Sequence, residues 1–401
     1  MTTRILFLIS RFLDGGIDTV LTEYLYVLSQ RKDISITLSI SLSMGDKLEV
    51  FIQRLPENVK VCHLVTNPLL TAYRRRAKAV GKNKLLGFFD ELLFNPLRRM
   101  CYRRGINRLA KDADAVIDFD LCHSSYMRQA WKAVKIGYFH FSFKKEAERN
   151  PRRMSRLSQK IDAYDRIVLI SKGMLDEAEA LWPSKKNCFV KIYNGVDAGR
   201  LKSLSSAPLP EEWQHRDFWV CVERLEESQK DITTLLKALA LAKQEYASAT
   251  PQTHRPLPTL CIIGKGKDQS RLMSLAQSLH LGDDDVRFMG FMSNPYPWMK
   301  HARALVHSAH FEGLPTVLIE ALVMGKTIIS TDSPTGPREI LADGKAGVLV
   351  PVGDIRAMAQ ALLDNLSADS HGSPSSEAIR RQQELFLPET ACDALLGIVK
   401  K

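Results

Sequence analysis

The stretch His310-Phe-Glu-Gly-Leu-Pro-Thr-Val-Leu-Ile-Glu-Ala-Leu-Val-Met-Gly325 follows an apolar run at 304–307 and reads as strand, tight loop and helix. Gly313 permits a sharp bend, and Pro315 suits the first turn of a helix, where a missing N–H costs nothing. The amides of Leu314, Thr316 and Val317 then point outward at a helix N-terminus, which is a ready anion site for a diphosphate. Glu312 lies just before that helix and Glu320 about one turn inside it, with seven residues between them. Each carboxylate can accept hydrogen bonds from a pair of hydroxyls.

Around this segment, short apolar runs alternate with helix-length stretches. Expected strands at 218–222, 259–263, 286–288, 304–307, 327–330 and 347–350 make one series. An earlier series starts with Ile5-Leu-Phe-Leu-Ile9, the turn Gly15-Gly16 and an apolar helical pattern, and continues through 34–42, 59–65, 115–119, 136–139, 166–170 and 189–193. Repeated βαβ units imply an α/β fold with two Rossmann-like domains facing a cleft. The expected division is 1–202, 203–375, and closing helices at 376–401 that cross back to the first domain. The Ser- and Pro-rich stretch 203–212 reads as the linker, and a polar stretch at 369–376 precedes the closing helices.

Composition sets the bounds. The 401 residues, 45% hydrophobic and 25% charged, suffice for a large core and argue against disorder. Seven cysteines without a CxxC pair suggest neither a disulfide framework nor a zinc site and fit a reducing cytoplasm. The N-terminal apolar run is too short for a signal peptide's core, and no run reaches the roughly 20 residues of a spanning helix. A net charge of +11 points to anionic partners.

That charge is uneven. Residues 73–111 hold Arg74, Arg75, Arg76, Lys78, Lys82, Lys84, Arg98, Arg99, Arg103, Arg104, Arg108 and Lys111 around the leucine- and phenylalanine-rich run 85–94. Cations flanking an apolar helix are what an anionic membrane surface requires, and 144–160 adds a second basic stretch. The alternative is that 85–94 is core beneath a solvated basic face.

The segment EGLPTVLIEAL, with its Glu-x7-Glu spacing, resembles the retaining glycosyltransferases of the GT-B fold, specifically family four, which builds lipopolysaccharide, capsule and other envelope glycans. Val222-Glu-Arg-Leu-Glu-Glu-Ser-Gln-Lys-Asp231 is similar to the Arg-Leu…Lys-Asp block of that family, with Glu223 where a Gly is common. The segments 262–266, 288–292 and 330–340 are similar as well. The resemblance implies a UDP-linked nucleotide-sugar donor, no metal cofactor, and a lipid-linked or glycan acceptor. It implies that Glu312 contacts the donor sugar and Glu320 the ribose, that Arg224 and Lys230 neutralise the diphosphate with Leu314, Pro315 and Thr316 beside it, and that Phe291 lines the base. In the first domain it places Gly15, Gly16 and His140 near the donor, His140 and Glu312 being the catalytic candidates.

Asp118-Phe119-Asp120 spells the DxD that a different, metal-dependent glycosyltransferase fold uses to hold a divalent ion. The other motifs belong to the metal-independent fold. A nucleotide-sugar epimerase would share the diphosphate site but lack an acceptor surface, and a nucleic-acid-binding protein would have no need of the EGLPTVLIE segment.

Overall fold

The computed structural model describes residues 2–13, 15–45, 49, 51–79, 83–249, 256–366 and 375–400. Lys82 and most of the polar stretch 369–376 lie outside these described residues, as does the side chain of Lys78.

The chain divides into two compact units. The first contains a seven-stranded sheet built from β1 (Thr3–Ile9), β2 (Ile34–Leu42), β3 (Lys60–Val65), β4 (Ala115–Asp118), β5 (Val134–Phe139), β6 (Arg166–Leu169) and β7 (Phe189–Lys191), in the order β3-β2-β1-β4-β5-β6-β7. The second contains β8 (Phe218–Val222), β9 (Thr259–Ile263), β10 (Val286–Gly290), β11 (Ala304–His307), β12 (Thr327–Thr331) and β13 (Val348–Val350), in the order β10-β9-β8-β11-β12-β13. Every strand pairing in both sheets is parallel. Two Rossmann-like α/β sheets are therefore present, and each expected strand exists with ends shifted by no more than two residues.

The runs ILFLI and TLCII are apolar without alternation because helices cover both faces of a parallel sheet. In the second unit Trp219, Leu260, Ile262, Val306 and Ile329 of the sheet pack with Leu235, Leu236 and Leu239 of the helix Ile232–Ala249 and with Met358 and Leu362 of the helix Ile355–Asp364.

The unit boundary falls at residues 195 and 196 rather than 202 and 203. The expected linker 203–212 is part of the second unit's fold. Leu209 is buried there and is followed by Trp213, whose ring packs against Phe218 at 5.5 Å and Trp298 at 5.0 Å. Two buried apolar side chains anchor a segment whose Ser and Pro content reads as loose. Of the closing helices, Ser376–Leu385 stays with the second unit, and Pro388–Val399 belongs to the first, packing on the helix Gly16–Ser29.

In each sheet the chain starts in the middle, runs to one edge, then returns to fill the other side. The direction reverses between β1 and β4 in the first sheet and between β8 and β11 in the second. Loops leaving the carboxyl ends of such strand pairs diverge and leave a crevice where open α/β folds bind ligands. The loop after β9 crosses closely over the loop after β8: a Cβ on Gly264, whose φ is +150°, would meet the Glu223 carbonyl oxygen at 1.8 Å. Gly264→Ala is expected to destabilise the protein by about 2 kcal/mol or more, read as a lowered denaturant midpoint at unchanged slope.

Candidate active site

The second unit's switch point gathers the loops after β8 and β11. Lys230 and Ala309 form a backbone bridge there, the Asp231 amide donates to the Ser308 carbonyl at 3.0 Å, and the His310 amide donates to the Gln229 carbonyl at 2.8 Å. These bonds place Lys230 directly against Glu312, and the two side chains form a buried ion pair. The Gln229 amide also approaches Glu312, at 3.4 Å. A third loop, after β12, holds the glutamate from behind. Thr335 Oγ1 donates to the Glu312 carbonyl at 2.5 Å, and a Cβ on Gly336 would lie 2.9 Å from the Gly313 carbonyl oxygen.

The helix after this loop spans Thr316–Val323, one residue later than expected, with Pro315 as its N-cap. No side chain caps it. Its first amides, at Thr316 and Val317, have no partner within the helix, and both residues are half-buried rather than enclosed. Leu314 and Pro315 are buried. Glu320, one turn further on, is buried and accepts from the Tyr296 hydroxyl at 3.2 Å; Arg200 lies over the Tyr296 ring at 5.9 Å. Arg224 leaves the same loop as Lys230, but its side chain is 62% exposed and its guanidinium reaches Gln229 Oε1 at 3.1 Å. Phe291 follows β10, is exposed, and carries the Lys265 ammonium 4.2 Å above its ring.

Two buried side chains complete this cluster. Glu223 ends the β8 turn and His307 ends β11, and His307 Nε2 stands 3.6 Å from Glu223 Oε1 and 3.5 Å from Glu312 Oε1. Glu223 Oε2 is 4.0 Å from the Lys230 ammonium. Burial alone would raise the Glu312 carboxyl, but Lys230 and His307 outweigh it and hold Glu312 down at about 2. Burial likewise disfavours the Lys230 charge, and the two facing carboxylates override it and push Lys230 up. Burial wins at Glu223, whose carboxyl is raised against the pull of Lys230 and His307. Glu312 is thus a firm carboxylate and Lys230 a firm ammonium.

In the first unit, the loops after β1 and β4 meet where Ser10 N donates to Asp120 at 2.9 Å. Gly15 is the N-cap of the helix beginning at Gly16; its φ of −98° is ordinary, and its amide donates to Asp18 at 2.8 Å. His140 leaves β5, buried, with its ring 5.0 Å from that of Phe119. Its Nε2–H donates to the Phe119 carbonyl at 2.7 Å, which leaves Nδ1 as the acceptor. Burial lowers its pKa to about 4, so the ring is neutral near pH 7.

Asp118, Asp120 and His123 lie close enough together to share a cation. Their oxygens already have protein donors, however. Asp118 accepts from Tyr164 Oη at 2.8 Å and from the amide and Nδ1 of His123, both at 2.9 Å, while Asp120 accepts from Ser10 and Cys122 amides. Ser41 Oγ at 2.6 Å from His123 Nε2 extends this into a Ser-His-Asp chain, but none of the three is more than 4% exposed, so no substrate reaches the serine.

Residues 211–383 match the protein family described as Glycosyl transferases group 1. That segment, which lies in the second unit, is similar to the members of that family. A glycosyltransferase of Methanocaldococcus jannaschii is 33% identical to the chain over 167 residues, covering 41% of this chain and 38% of that protein. The Campylobacter jejuni N-acetylgalactosamine-N,N'-diacetylbacillosaminyl-diphospho-undecaprenol 4-alpha-N-acetylgalactosaminyltransferase is 26% identical over 362 residues, 88% of each chain. The crystal structure of Anabaena HepE with UDP and glucose superimposes with a TM-score of 0.73 over 99% of both chains at 17% identity, so the chain has the GT-B fold.

The ion pair gives the protein a pH signature. A carboxyl depressed in the folded state stabilises it above the unfolded value and loses that stabilisation as the pH falls to the folded value. The difference in unfolding free energy between wild type and Glu312→Gln is expected to be constant above pH 5 and to shrink between pH 4.5 and about 2, as chemical denaturation at each pH will read.

Proposed function

We propose that this glycosyltransferase moves a hexose or N-acetylhexosamine from a UDP-linked donor to a lipid-linked, lipopolysaccharide or polysaccharide acceptor, with retention, in envelope glycan synthesis. The observation that carries the donor half of this reading is the buried Lys230–Glu312 pair beside an uncapped helix N-terminus at the switch point. A diphosphate needs fixed positive potential, and a sugar needs a firm acceptor for its hydroxyls; this corner of the second unit has both.

In the reaction the bond from the anomeric carbon to the diphosphate oxygen breaks, and the acceptor oxygen bonds to that carbon on the same face. The acceptor's proton goes to the departing phosphate oxygen, so no separate base or metal is required. Negative charge grows on the diphosphate as it leaves. Arg224, Lys230 and the Thr316 amide, with Leu314 and Pro315 shaping the turn, stabilise it by preorganised electrostatics, the effect that usually contributes most. Glu312 takes the sugar hydroxyls, Glu320 the ribose hydroxyls with Tyr296 bracing it, and Phe291 offers a ring to the base. From the first unit, the Gly15-Gly16 loop and the neutral His140 serve the transferred sugar, His140 through its Nδ1 acceptor. The UDP found in the HepE structure and the diphospho-undecaprenol in the name of the Campylobacter relative's substrate support the donor and acceptor classes.

The acceptor half rests on residues 84–110. The helix Lys84–Phe89 passes through a π-turn at Asp90–Phe94 into the helix Asn95–Ala110. Leu85, Phe88, Phe89, Leu92 and Leu93 are exposed, so this run is not core. The bend is fixed by Arg98, buried, which pairs with both oxygens of Asp90 at 2.7 Å, and Arg74 reaches the same carboxylate at 3.0 Å. An apolar ridge among cations suits peripheral attachment to an anionic membrane, on the inner face of the cytoplasmic membrane in this reading; each nearby basic residue adds about 1 kcal/mol. Among the described residues no helix is long and apolar enough to cross a membrane.

Screening nucleotide sugars by thermal unfolding tests the donor: a UDP-sugar at 100 times its Kd should add about 2.7 kcal/mol of stability, and no shift with any UDP-sugar would refute the reading. Glu312→Ala should lower transfer roughly 100-fold or more while circular dichroism stays native, because Glu223 remains to balance Lys230. Flotation with vesicles containing phosphatidylglycerol should recover the wild type at low salt and release it at high salt. Phe88→Ser with Leu92→Ser should weaken that binding by about tenfold or more.

A further inference from the structure

The hydrogen bonds behind the Lys230–Glu312 pair are incomplete. Glu223 Oε2 and His307 Nε2 are both enclosed and neither has a hydrogen-bond partner among the described residues. Buried polar atoms are almost always satisfied, so two orphans within one cluster call for a cause.

The remaining bonds fix the protons. Ser330 Oγ donates to the Thr331 carbonyl at 3.0 Å, so it accepts from His307 Nδ1, also at 3.0 Å. Nε2 is therefore the ring nitrogen that faces the two carboxylates. On the other side, the Ser308 amide donates to Glu223 Oε1 at 3.1 Å and leaves Oε2 open toward Lys230. The groups facing the two orphans are Lys230 and Cys221 from β8 and its loop, Arg224 beside them, and Glu312 from the loop after β11.

We propose that Glu223 is a positioning residue for donor binding, giving the Lys230 ammonium a second seat at Glu223 Oε2 when the donor sugar engages Glu312. The inference rests on the donor reading given above. While Lys230 and Glu312 satisfy each other, neither is free for the donor. Closing the 4.0 Å gap to Glu223 Oε2 to hydrogen-bond length needs a movement of only about 1 Å. His307 Nε2, 3.5 Å from Glu312 Oε1 and 3.6 Å from Glu223 Oε1, then stands between the carboxylate that Lys230 has left and the one that it has joined.

The test uses the full chain and two readouts at pH 7: the Kd of UDP, and the Kd of the UDP-hexose or UDP-N-acetylhexosamine that most raises the thermal midpoint. Glu223→Gln, of the same volume, is expected to weaken the UDP-sugar by about tenfold or more while UDP, which has no sugar to engage Glu312, stays within about threefold. Glu223→Asp should recover part of the UDP-sugar affinity. A UDP-sugar affinity unchanged in Glu223→Gln, or a loss equal for UDP and UDP-sugar, would overturn the proposal. A wild type that binds neither would overturn the donor reading and the second seat with it.

Discussion

The ion pair between Lys230 and Glu312 organises the second unit's chemistry. Two opposite charges withdrawn from water are tolerable only when they face each other and their remaining bonds are met. The fold meets that condition by bringing together three loops from three adjacent strands. The pair forms because β8 and β11 are neighbours in the sheet, although the loops that follow them start at Glu223 and Ser308, far apart in the chain. Everything nearby, including the bridge at Ala309, the turn at Gly336 and the close crossing at Gly264, keeps those loops from drifting.

The fold itself was legible. Unbroken apolar runs such as Thr259–Ile263, spaced by amphipathic stretches, mark strands covered on both faces, and this signal survives without any knowledge of tertiary contacts. The EGLPTVLIE segment gave the helix, its N-terminus and the place of both glutamates, because loop, cap and helix are local in the chain. The unit boundary was less legible: composition marks 203–212 as loose, and only the packing of Leu209 and Trp213 shows it to be anchored.

What the sequence hid was partnership. Glu223 reads as an irregular residue in a turn and His307 as the polar end of a buried strand; only the sheet order puts them behind the same lysine. Lys230 reads as a free cation, whereas its charge is already matched by Glu312 in the absence of ligand. Asp118-Phe119-Asp120 shows the opposite failure. The spacing suggests an ion, and the structure spends its oxygens on Tyr164, His123, Ser10 and Cys122. Gly15 caps the first unit's opening helix with backbone angles open to any residue.

The bend at Asp90 sets the shape of an exposed surface. Because Arg98 and Asp90 satisfy each other inside the chain, the ridge of leucine and phenylalanine is held in place by a buried ion pair and not by a partner. A surface that is already rigid loses little conformational freedom when something covers it, so less of the contact energy goes into ordering side chains.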